Sequence, residues 1–96
     1  MRMQRHFEIT NVIAHRETTV ITAMMDDLRR TVEILDCDVA TEEERVRVFD
    51  KSDPHYPILA RTLAARRDNL KLTVAALGQR LEAIDATTAQ VIATAA

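Results

Sequence analysis

YPILARTLAARRDNLKLTVAALGQRLEAIDATTAQVIATA, residues 56–95, carries an apolar side chain at nearly every position that a helical seam requires. Leu63, Leu70, Leu77, Ile84 and Val91 fall seven residues apart, and Ala60, Val74, Leu81 and Ala95 fill most of the second seam position. Side chains recurring every 3.5 residues on average stay on one side of a helix and can lie along a second one. The spacing predicts one long helix over about 57–94, with a weakly apolar, Thr- and Ala-rich tail.

Its partner lies upstream. Ile9, Ile13, Val20, Met24, Leu28, Val32 and Leu35 recur at helical intervals, which predicts a first helix over about 5–37. Phe7, Ala14, Ile21, Met25 and Ile34 widen that stripe beyond what a two-stranded seam needs. The β-branched run Thr18 to Thr22 lowers local helix propensity, but no period-two alternation competes with it.

Between the helices the signals conflict. Asp36-Cys37-Asp38 is the expected end of the first helix, although acids sit badly at the negative end of a helix dipole. Thr41-Glu42-Glu43-Glu44 has capping-box spacing and predicts a short connecting helix over about 42–50, burying Val46 and Phe49. The alternation Arg45-Val46-Arg47-Val48 offers a strand as the rival, but a lone strand has nothing to pair with. Ser52 to Pro57 is the clear turn: Pro54 and Pro57 fix their own φ, and Asp53 and Tyr56 are pushed towards extended backbone. Pro57 suits the start of the second helix, where its missing N–H costs nothing.

Composition agrees with an all-α reading. The chain has 96 residues, room for one small domain spanning 1–96. It contains one Gly and two Pro, too little turn material for a β-rich fold. A net charge of −2 points to neither nucleic acid nor an anionic membrane. Lone Cys37 forms no internal disulfide, no apolar run approaches the roughly 20 residues of a membrane span, and the basic N-terminus lacks a secretory h-region. A cytoplasmic location is expected.

Folding the chain back at the turn predicts an antiparallel, coiled-coil-like hairpin. Leu35 is expected near Ala60, Leu28 near Arg67, Met24 near Leu70, Ile21 near Val74, Ala14 near Leu81 and Thr10 near Ile84. This places the acidic end of the first helix beside Arg61, Arg66, Arg67 and Lys71. Arg67 is expected to reach Asp27, and Glu17 to find Arg80; charged groups on a seam disfavour slipped registers. One two-helix seam is a thin core for this length, so two hairpins are expected to form a homodimeric four-helix bundle. Ile13, Val20, Met25, Val32, Leu59, Leu72, Gly78 and Ile92 are the candidate dimer or partner interface, with Gly78 admitting close approach of a helix.

No chemistry-bearing constellation emerges. His6, His15 and His55 lack metal-ligand spacing, Met24-Met25 reads as packing, and Cys37 is flanked by two acids that make a thiolate unfavourable. The arginine cluster has no interleaved aromatics for base stacking, and Asp26-Asp27 and Glu42-Glu43-Glu44 lack a cleft that would shift their pKa values. Asp53, Pro54, Tyr56 and Pro57 form the most distinctive polar-aromatic patch, a turn that reverses the chain and whose exposed Tyr is a candidate for docking. The expected function is a non-catalytic, self-associating helical interaction or scaffold module. No catalytic residue, cofactor, metal or small-molecule substrate is assigned. The alternatives are a small chaperone or adaptor holding an amphipathic segment of another protein, and a weak nucleic-acid binder.

Overall fold

The structure, a computed structural model, describes residues 2–95, with side chains described for residues 5, 6 and 8–94. Two helices, α1 (Arg2–Val46) and α2 (Ile58–Ala95), pack against each other as a hairpin, and no strand forms among the described residues. The stripe contributions expected of Phe7 and Ala95 fall outside the described side chains.

The first correction concerns the end of α1, which runs straight through Asp36-Cys37-Asp38. The reason is the seam: Leu28, Val32, Leu35, Val39, Glu42 and Val46 continue the alternation of four and three, and all are buried or half-buried. Acids that do not end a helix meet no adverse dipole. The expected connecting helix over 42–50 therefore does not exist, since 41–46 are the last turns of α1. Phe49, expected inside, is 55% exposed.

Helix α1 stops at Arg47, whose φ of 63° is left-handed and whose N–H donates to the Glu43 carbonyl at 2.7 Å. This satisfies one of the orphan carbonyls at the helix end, at a cost of about 1 kcal/mol for a residue bearing a Cβ. The link is then tied by its own side chains. The Asp50 carboxylate accepts from the Ser52 N–H at 2.9 Å and the Ser52 hydroxyl at 2.7 Å, and these bonds hold its pKa below the ordinary carboxylate value. Asp53 repeats the device by accepting the His55 N–H at 2.8 Å. The Pro57 carbonyl takes the first helical bond of α2 from the Arg61 N–H at 3.2 Å. Pro57 thus stands one residue before the helix it was expected to open.

The chain forms two compact units, Asp27–Val74 and Met1–Asp26 with Ala75–Ala96. In the first, Val39, Tyr56 and Ala60 form a core against which Val48, Leu63 and Ala64 pack. Burying a side chain such as Val39 contributes roughly 1.5–3 kcal/mol. Ala60, 0% exposed, packs with Val39, where the sequence reading had placed Leu35. The register here is slid by four residues, about one helical turn. The cause is the longer α1, which moves the chain reversal to 47–57.

In the second unit the buried apolar residues are Ile21, Met25 and Ile84. The α1 seam here runs Thr10, Ala14, Glu17, Ile21 and Met25, so two intervals of four follow one another before Met25. Such a step shifts the seam around the helix. It brings in Met25 and leaves Met24, expected near Leu70, on the surface.

Candidate interaction surface

Most charged groups near the seam are engaged within the hairpin. In the unit Asp27–Val74, Arg67 has a side chain only 16% exposed and donates to Asp36 at 3.0 Å and Asp68 at 3.1 Å. These bonds raise its pKa above the ordinary arginine value, Asp36 contributing most. Asp27, its expected partner, instead pairs with Arg30 in its own helix.

Glu42 is the buried charged residue among those described, and its carboxylate accepts the Arg45 Nε–H at 3.1 and 3.2 Å. That interaction with Arg45 holds its pKa below the ordinary carboxylate value. Glu43 accepts the Tyr56 hydroxyl at 3.0 Å, and Glu44 pairs with Arg47 at 2.8 Å. Three adjacent acids are thus bound by three different donors, not gathered into a carboxylate pair.

Tyr56, expected to be exposed on the turn, is 4% exposed. Burial first, and then the bond to Glu43, raise its pKa. Its ring also carries the Arg61 guanidinium, 5.3 Å from the centroid, while Arg61 donates to the Lys51 carbonyl at 3.0 Å. The aromatic of the expected docking patch is therefore an anchor for the link; Pro54 stays exposed beside half-buried Asp53 and Pro57. Arg61 and Arg67, two members of the basic cluster, are both engaged within the unit.

In the unit Met1–Asp26 with Ala75–Ala96, Arg80 donates to Glu17 from Nε at 2.9 Å and from its terminal nitrogen at 2.6 Å, the pairing expected from the sequence. Gly78 faces Met25: a Cβ built on it would lie 3.7 Å from the Met25 Cε. Met25 is buried there and Gly78 half-buried. Val32, in the other unit, is half-buried on the seam as well.

The remaining interface candidates lie outside. Ile13, Val20, Leu59, Leu72 and Ile92 are each about half exposed or more, with Leu72 at 69%. Ile9, Val12 and Met24 join Ile13 and Val20 on the same unit of α1. Ile9 stands four residues before Ile13, Val20 seven after Ile13, and Met24, expected near Leu70, four after Val20, so the spacing puts all four on one face. A shallow groove of about 290 Å³ runs beside Ile13 towards Ala83 and Thr87 of α2.

Among the described residues, no group of three or more His, Cys, Asp or Glu side chains is placed to hold a metal ion, and no helix is long and apolar enough to cross a membrane. No family model, curated protein or solved structure matches this chain. The class defined by the fold is an all-α helical hairpin with an exposed apolar face.

Proposed function

We propose that this protein is a non-catalytic helical interaction or scaffold module that self-associates, two hairpins joining into a four-helix bundle. One observation carries the reading. In the unit Met1–Asp26 with Ala75–Ala96, the α1 seam holds Thr10, Ala14 and Glu17 before it reaches Ile21 and Met25, while bulky Ile9, Ile13, Val20 and Met24 stand outside it, between 47% and 58% exposed. A hairpin built to work alone gains most by placing bulk on the seam and polar residues outside. The inverse arrangement supports a second apolar neighbour.

The module acts by presenting a helical surface, without cofactor, metal or small-molecule substrate. Cys37 is an exposed free thiol, which suits a reducing compartment such as the cytoplasm. Sedimentation equilibrium of the purified chain is expected to give the dimer mass at micromolar concentration. A monomer throughout that range would overturn self-association and favour the second reading, an adaptor whose same apolar face holds an amphipathic helix of another protein.

A further inference from the structure

We draw no further inference here: the strongest candidate, the exposed apolar stripe of Ile9, Ile13, Val20 and Met24 on the outer face of α1, carries nothing beyond the reading already proposed, because nothing in the structure shows what covers it.

Discussion

The two units share one heptad pattern and use it differently. In Asp27–Val74 the seam carries Leu35, Val39 and Ala60, Tyr56 closes over it from the link, and Arg67–Asp36 and Tyr56–Glu43 cross between segments. In Met1–Asp26 with Ala75–Ala96 the seam carries Thr10, Ala14, Glu17 and Thr88 beside buried Ile21, Met25 and Ile84 and half-buried Leu77, Leu81 and Val91. Its ion pair, Glu17–Arg80, is largely exposed and so contributes little, about 0.5 kcal/mol. The lesson is that periodicity places a seam without saying how much it holds. The bulk at each position decides whether a unit buries its apolar surface within the hairpin or leaves it exposed.

The contrast breaks most readily at Tyr56. Tyr56→Ala removes the aromatic that seals the Val39–Ala60 core, and the expected loss is about 3 kcal/mol in urea unfolding. A loss under about 1 kcal/mol would mean that Asp27–Val74 is held by its helices alone, and the link is incidental. A smaller effect of opposite sign is expected at Gly78. An added methyl would sit in ordinary van der Waals contact with Met25, so Gly78→Ala is expected to stabilise by about 1 kcal/mol through helix propensity. Destabilisation would show that the Met25 packing in this unit is tighter than the contrast allows.

The smallest effect is the pH dependence carried by Glu42. Its folded pKa is lowered by Arg45, so the folded state favours the ionised carboxylate. That contribution is present above the unfolded value, near pH 4.5, and is lost as pH falls through the lowered folded value. The difference in urea midpoint between wild type and Glu42→Gln is therefore expected to be greatest at pH 7 and to shrink towards pH 3. A difference independent of pH would assign the effect to packing instead of charge.

Much of the surface reading was available from spacing. Ile13 and Val20 were placed on the outer face, and Glu17 with Arg80, because helical intervals name a face before any partner is known. Met25 is buried for a physical reason: two successive intervals of four move the seam around α1, and only packing shows where that step falls. Arg67 was sent to Asp27 because the register was counted from a helix ending near Asp38. Asp36 became its partner once α1 ran on to Val46.

Helix content and chain reversal follow from properties that neighbouring residues settle among themselves: propensity, apolar period and the two prolines near the turn. Those are local, and they are written in order along the chain. The end of α1, the one-turn slide and the burial of Tyr56 depend on residues far apart in sequence competing for the same space. Val39 and Ala60 meet, and Tyr56 folds over them, because that arrangement removes the most apolar surface from water; no local signal carries that sum.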